Sequence, residues 1–255
     1  MNDMKKLKLA TYNIHGGWGM DKVLDLARIA NVIKAMDIDF IAINEIDKNC
    51  VRSNSVDQPA VLAEYLGMNY HFAPALEMRA PTYPEQGDKP GLYGVAFFTP
   101  HPVKVIKQIK LPGLDIMEPR TAVFARVEAP VPFLAVVTHF CWEPKYEHFR
   151  VESVQKINAE VEALRQADPA LPVLLLGDLN AEPYSAPIEE IRKSWKIANE
   201  GKFEPTHPSD APVEIIDYIA VKSPNGAEWV NSRIIPEKVA SDHRPFYAEL
   251  LVEAE

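Results

Sequence analysis

Several short apolar runs of this chain each end in polar residues that can hold a cation, orient a water or donate to an anion. Hydrolysis of a phosphate ester at neutral pH needs a hard cation, an activated water and donors facing the phosphoryl oxygens. The polar segments are residues 11–15, 44–47, 138–139, 177–180 and 241–245. The sequence therefore predicts a metal-dependent phosphoesterase.

Carboxylates follow two of the most apolar runs. Asp178 and Asn180 come after residues 173–176, so a buried strand delivers a carboxylate that can orient a water and a carboxamide that can donate to a phosphoryl oxygen. Glu45 follows residues 40–43, and one well-placed carboxylate is enough to recruit Mg²⁺, which keeps several of its waters. Taken alone, the first segment is more typical of a turn and Glu45 of a surface acid.

Imidazoles and other groups suited to phosphate end further runs. His139 and His243 can neutralise charge on the reacting phosphoryl group or act as general acids. Asp217 can hold one of these imidazoles charged and oriented, and the sequence leaves open which one. Arg120 offers either a phosphate clamp or an ordinary ion pair, and Tyr93 offers either a phenol near the site or a packing aromatic.

The first polar segment leads into a glycine-rich loop. Asn13 and His15 follow residues 7–12, and the glycines at positions 16, 17 and 19 allow the backbone to approach a bound ion or anion closely. A tight loop without a ligand has the same composition. Near the other end of the chain, Asp242 stands directly beside His243.

The elements that position these residues are predicted from hydrophobic periodicity. Short apolar runs predict strands covered on both faces, at residues 7–12, 40–43, 95–98, 133–137, 173–176, 215–221 and 246–251. Helices are predicted over about 22–35, with Val23 and Ala27 on the buried face, and from Pro59 after the capping residue Asp57. A third is predicted over about 146–164, with Arg150 facing water.

Loops and strand spacing indicate the sheet type. The proline-rich stretches 74–91 and 201–212 predict long loops. Residues 93–137 show no clear helix, which favours hairpins and hence a mixed or antiparallel sheet.

Composition limits the class of protein and its partners. The 255 residues are 47% hydrophobic and 25% charged, which is typical of a globular protein, and we predict a single domain over 1–255 and a monomer. The formal net charge of −9 disfavours nucleic acid as a partner, because proteins that bind its backbone usually neutralise phosphates with Lys and Arg. A bound cation can nevertheless invert the local field.

Cysteines and hydrophobic runs bear on the compartment. We expect Cys50 and Cys141 to be unpaired, with pairing in an oxidising compartment as the alternative. No apolar run is long enough to span a bilayer, and the amino terminus lacks a signal core. The prediction is therefore a cytoplasmic protein, or an exported one from which a signal peptide has been removed.

The polar segments together form a recognisable set, namely residues 12–15, Glu45, Tyr93-Gly94, Pro119-Arg120, Thr138-His139, 177–180, 216–219 and 241–245. This set resembles the endonuclease/exonuclease/phosphatase family, which includes DNase I-like nucleases, abasic-site endonucleases, sphingomyelinases and inositol-polyphosphate phosphatases. The resemblance covers residues 9–250. It implies an α/β (α+β) fold, the four-layer αββα sandwich, in which two mixed, mostly antiparallel sheets pack face to face with helices outside.

The resemblance also implies roles for the site residues. Glu45 would bind Mg²⁺ or Mn²⁺ with help from Asn13 and Asp242. Asp178 would position the attacking water, and Asp217 would orient one of the two histidines. The implied catalytic set consists of Asp178, Asn180, His139, His243, Asp217, Arg120 and Tyr93.

At two positions the chain departs from the family's usual residues, and these departures limit which substrates the resemblance implies. Many members have Gln where this chain has Asn44, and several nucleases have an acidic residue where it has His15, a feature familiar among small bacterial members. We therefore predict in-line hydrolysis of a phosphodiester or phosphomonoester in a phosphorylated small molecule or lipid head group. A DNA or RNA nuclease on the same fold and a non-catalytic binding module are the alternatives.

Overall fold

The computed structural model describes residues 4–223 and 226–253, which form two six-stranded sheets with four α-helices. The strands are β1 (Met4–Asn13), β2 (Phe40–Lys48), β3 (Asn69–Met78), β4 (Gly91–Thr99), β5 (Val103–Lys110), β6 (Thr121–Val127), β7 (Phe133–His139), β8 (Val173–Asp178), β9 (Lys196–Ile197), β10 (Asp217–Lys222), β11 (Ala227–Ile234) and β12 (Phe246–Glu253). The helices are α1 (Leu26–Lys34), α2 (Gln58–Leu66), α3 (Glu147–Arg165) and α4 (Ala186–Arg192).

Each sheet has a parallel pair at its centre and antiparallel strands on either side. The first sheet has the order β11-β12-β1-β2-β4-β3, with β1 and β2 parallel. The second has the order β5-β6-β7-β8-β10-β9, with β7 and β8 parallel. Because parallel strands need a long crossover, α1 follows β1 and α3 follows β7 before the chain returns to the same sheet.

Three apolar layers hold the sandwich together. Inward side chains such as Leu9, Phe40, Phe133 and Leu176 form a buried cluster between the sheets. A second cluster packs α3 and α4 against the second sheet, and a third packs α1 and α2 against the first. Burial on both faces explains why the strand sequences are nearly continuous apolar runs. The predicted four-layer αββα sandwich is confirmed.

The helix α1 begins later than the sequence predicts. Its capping residue is Asp25, whose side chain accepts a hydrogen bond from the Arg28 N–H, so the helix starts at Leu26 and not near residue 22. Val23 precedes the helix and Ala27 lies on its outer face, and both are exposed. The prediction that these two residues are buried is therefore wrong.

The other two predicted helices form, with one error in the exposed face of α3. Asp57 caps α2 as predicted. Arg150 of α3 is buried and does not face water, because its Nη1 donates to the carbonyl oxygens of Cys141 at 3.0 Å and Glu143 at 3.3 Å. These two bonds compensate part of the cost of burying the guanidinium, whose Nε has no hydrogen-bond partner among the described residues.

The strands reach further than their apolar runs. The strands β2, β7 and β8 continue into the polar segments, so Glu45, His139 and Asp178 are themselves strand residues. The strand β3 also extends to Met78, which leaves residues 79–90 as the loop before β4. Pro74 lies in β3 at a register shift on the edge of the first sheet, where a missing N–H is tolerated.

Cys50 and Cys141 are free and buried, so the alternative of a disulfide is wrong and the prediction of unpaired thiols is confirmed. Among the helices of the described residues, none is long and apolar enough to cross a membrane.

Candidate active site

The carboxyl ends of the two central parallel pairs meet at one end of the sandwich. Asn13 pairs in register with Asn44 across β1 and β2, and His139 pairs with Asp178 across β7 and β8. Asp217 pairs with Asp178 from the opposite side, across β10. The Nδ2 atom of Asn13 donates to Oδ2 of Asp178 at 3.1 Å and thereby joins the two sheets. Most of the predicted site residues therefore belong to one cluster.

Asn44 is a second link between the sheets, directly beneath this cluster. Its Nδ2 donates to the Thr138 carbonyl oxygen at 2.7 Å, and its Oδ1 accepts from the Asp178 N–H at 3.0 Å. Gly177 makes the approach of β7 possible, because a side chain there would overlap the Thr138 carbonyl oxygen. The backbone that carries Asp178 is thus fixed from both sheets.

The carboxylates of Glu45 and Asp178 share one amide donor. Asn13 Nδ2 lies 3.0 Å from Glu45 Oε1 as well as 3.1 Å from Asp178 Oδ2, while its Oδ1 accepts from the His15 N–H. Glu45 lies at a β-bulge in β2 with a φ of 57°, and a bulge beside a site re-aims the side chain. Asn180 and His15 also have positive φ angles, of 47° and 48°. Such backbone strain clusters at functional sites.

The pairing of Asp217, which the sequence leaves open, is with His243. Its Oδ2 lies 2.9 Å from His243 Nδ1 and also accepts from the Thr206 hydroxyl at 2.6 Å. Burial lowers the pKa of His243, but Asp217, Asp178 and Asp242 outweigh burial and raise it to about 10. His243 is therefore an imidazolium at neutral pH, with Nε2 facing Asp178 Oδ2 at 3.8 Å.

His139 lies between Arg120 and Asp178. Its Nδ1 is 2.9 Å from Arg120 Nη1. Its Nε2 is 3.0 Å from Asn180 Nδ2 and 3.4 Å from Asp178 Oδ2. Arg120 Nη1 also donates to the Tyr93 hydroxyl at 3.4 Å. All five groups are therefore in one network.

The charges of this network keep both carboxylates ionised. Burial favours the neutral form of Asp178, but His139 and His243 hold its pKa below the usual value. Burial acts in the same direction on Glu45, and His139 and the Asn13 amide again lower the pKa overall. For Tyr93, burial raises the pKa well above its usual value, so the phenol stays protonated.

Two groups of residues place potential ligand atoms within 4.8 Å of one another in the part of the chain that the structure describes. They are Asp178, Asp217 and His243, and His207, Asp242 and His243. In the first group, Asp217 and His243 are already hydrogen-bonded to each other, and Asp178 lies beside them. Asp242 also lies 3.5 Å from His15 Nδ1.

Glu45 belongs to neither of these groups. Its carboxylate instead lines a cavity of about 280 Å³ together with Arg120 and Tyr93. A carboxylate in an open, charged cavity beside the Asp178 network is a donor of the hard oxygen type that Mg²⁺ and Mn²⁺ accept. The residues present therefore fit a divalent cation at Glu45.

The structure adds residues that the sequence does not indicate. Thr206 and His207 lie in the predicted loop 201–212 and contact Asp217 and His243, with the two imidazole centroids 4.7 Å apart. The signal available in the sequence was polar residues within a long ordered loop, which is a common place for site residues. The local sequence does not indicate which of these polar residues contact Asp217 and His243.

The class of protein follows from this combination of fold and site. The sandwich brings carboxylates, imidazoles and a guanidinium to one end of two facing sheets, as a hydrolase of phosphate esters requires. Residues 10–243 match the endonuclease/exonuclease/phosphatase family. The chain belongs to this family, and its members are phosphoesterase hydrolases. The search of curated proteins found no match.

Solved structures show the same fold at low sequence identity. An endonuclease/exonuclease/phosphatase family protein from Bacteroides thetaiotaomicron is 17% identical, with a TM-score of 0.77 over 99% of this chain and 97% of that one. A mannosyl-6-phosphatase from the same organism is 18% identical, with a TM-score of 0.74 over 96% and 100%. The human Nocturnin catalytic domain is 17% identical, with a TM-score of 0.69 over 98% and 97%.

Proposed function

We propose that the chain is a divalent-cation-dependent phosphoesterase that hydrolyses a phosphomonoester or phosphodiester of a small molecule by in-line attack of water. The observation that carries the proposal is the Asn13 amide that joins the Glu45 and Asp178 carboxylates beside two imidazoles. A mannosyl-6-phosphatase among the similar structures is in keeping with a small phosphorylated substrate.

The cation is assigned to Glu45, with Asp242 as a second ligand and Asn13 as the residue that orients the Glu45 carboxylate. This oxygen-rich set suits Mg²⁺ or Mn²⁺ better than a soft metal. A divalent cation bound there would supply Lewis acidity, which lowers the pKa of water and screens the phosphate charge.

The chain's own residues orient and stabilise the reacting groups. Asp178 has a lowered pKa, so it stays ionised and orients the attacking water while being a weak base. The imidazolium of His243, held by Asp217, donates to a phosphoryl oxygen, and Asn180 and His139 add donors nearby. Arg120 and Tyr93 hold His139 from behind and face the leaving group.

Hydrolysis of p-nitrophenyl phosphate and bis-p-nitrophenyl phosphate with Mg²⁺, with Mn²⁺ and with chelator tests the proposal. We expect activity that chelator abolishes, and a Glu45→Gln variant that needs at least about tenfold more cation for half-maximal activity. Glu64→Gln, on the exposed face of α2, is the matched control and should behave as the parent. Cation-independent hydrolysis would refute the proposal, and salt-sensitive cleavage of plasmid DNA would favour the nuclease instead.

A further inference from the structure

The cavity beside Glu45 has the size of a single small ring. Its volume of about 280 Å³ is just below the range of about 300–1,000 Å³ that drug-sized ligands occupy. Glu45, Tyr93 and Arg120 line the side of this cavity next to the catalytic network, so a substrate whose phosphate is held there would place its leaving group in the cavity. The remaining lining residues are His15, Gly16, Trp18, Arg52, Glu118 and Trp142.

Arg52 faces this cavity, and its positive charge is already balanced by a carboxylate. Its Nε and Nη2 bind both carboxylate oxygens of the fully buried Asp47, at 2.9 and 2.8 Å. The guanidinium also lies over the Tyr93 ring, 5.0 Å from its centroid. These contacts fix the plane of the guanidinium and leave Nη1 for a ligand, and 47% of the side chain remains exposed.

The second guanidinium of the cavity is matched in the same way. Arg120 Nη1 lies 2.9 Å from Glu118 Oε1 and 2.9 Å from His139 Nδ1. Each cation of the wall therefore has a carboxylate beside it. A second anionic group on the substrate would find no unmatched positive charge here, whereas hydroxyl groups could donate to Glu118 and accept from Arg52.

Two indole rings complete the walls. Trp18 is fixed by its Nε1, which donates to the Arg52 carbonyl oxygen at 3.3 Å. Trp142 follows β7 directly after Cys141 and is 61% exposed. Aromatic side chains next to fixed polar groups suit a ring that has apolar C–H faces and a polar edge.

On this basis, and resting on the proposed phosphoesterase function, we propose that the leaving group is a single neutral polyhydroxylated ring. The substrate is then a sugar or cyclitol monophosphate. Arg52 and Glu118 bind the hydroxyl edge, and Trp18 and Trp142 cover the faces. A nucleobase would offer fewer hydroxyl partners to these paired charges, and a lipid tail or a nucleic acid duplex exceeds the cavity.

Steady-state hydrolysis of four phosphomonoesters tests this inference. The substrates are glucose 6-phosphate, myo-inositol 1-phosphate, glycerol 3-phosphate as the acyclic polyol, and adenosine 5′-monophosphate. We expect kcat/KM for at least one ring polyol to exceed that for glycerol 3-phosphate by about tenfold or more, because only a ring gains the aromatic faces.

Substitutions in the cavity wall distinguish its contribution to substrate preference from that of the catalytic network. Trp142→Ala, at an exposed position, should lower kcat/KM for the ring polyol about tenfold and leave that for glycerol 3-phosphate within about twofold. Arg52→Lys keeps the charge opposite Asp47 but loses the fixed fork, and should raise KM for the ring polyol. Tyr65→Ala, an exposed aromatic of α2 outside the cavity wall, is the matched control.

The outcomes distinguish this inference from the function on which it rests. Equal kcat/KM for ring and acyclic polyols, a preference for adenosine 5′-monophosphate, or a Trp142→Ala variant that retains the ring preference would overturn the inference while leaving a phosphoesterase. Absence of divalent-dependent hydrolysis of these substrates, of p-nitrophenyl phosphate and of bis-p-nitrophenyl phosphate would overturn both.

Discussion

Replacing Asn44 with alanine removes the carboxamide that joins the two sheets beneath the site. The side chain is fully buried, and it serves the Thr138 carbonyl at 2.7 Å and the Asp178 N–H at 3.0 Å. Alanine leaves both backbone groups buried without a partner, at a cost of about 1–3 kcal/mol each. We therefore expect Asn44→Ala to lower the free energy of unfolding by about 2–6 kcal/mol.

Urea unfolding followed by tryptophan fluorescence measures this loss from the midpoint and the slope. The matched control is Asn69→Ala, which removes an exposed hydrogen bond from Nδ2 to the His101 carbonyl at 3.0 Å and should change stability by less than about 0.5 kcal/mol. A loss for Asn44→Ala no larger than that of the control would show that the carboxamide does not hold the sheets together.

Three further perturbations have expected results. Gly177→Ala should prevent folding or lower stability severely, because its side chain would overlap a carbonyl oxygen of β7 at a φ of 152°; a soluble variant with unchanged urea midpoint would refute the close approach. Thr206→Val removes the 2.6 Å hydrogen bond to Asp217 and should cost about 1.5–3 kcal/mol in unfolding free energy, with a lower kcat; unchanged values of both would contradict the network. Burial raises the pKa of Cys50 to about 12 and raises that of Cys141, so both thiols should resist alkylation in the native protein and react once urea unfolds it; rapid native labelling would refute their burial.

The convergence of the site could be predicted because the polar segments end the central strands. The two parallel pairs deliver Asn13, Glu45, His139 and Asp178 to the same end of the sandwich. The partner of Asp217 could not be predicted, because it depends on the antiparallel register of β10 and on the loop that carries His243. Those are properties of the tertiary structure.

Several of the strands that the sequence does not predict lie at the edges of the sheets. Most residues of β5 and several of β11 are exposed, so their patterns lack the apolar runs that mark the central strands. The short helix α4 gives too few turns for a clear period. The error for Arg150 has a different reason. Helical periodicity predicts that a charged residue faces water, and it does not indicate that the carbonyl oxygens of Cys141 and Glu143 accept hydrogen bonds from a buried guanidinium.

The central claim is that these strand ends form one catalytic pocket in which Asp178 orients the attacking water. The most direct measurement is kcat with Mg²⁺ for Asp178→Asn, compared with the parent at matched stability and at saturating cation. The account predicts a loss of at least about 10²-fold, typical of removing a positioned catalytic group. An Asp178→Asn enzyme with the full Mg²⁺-dependent kcat of the parent would contradict the account.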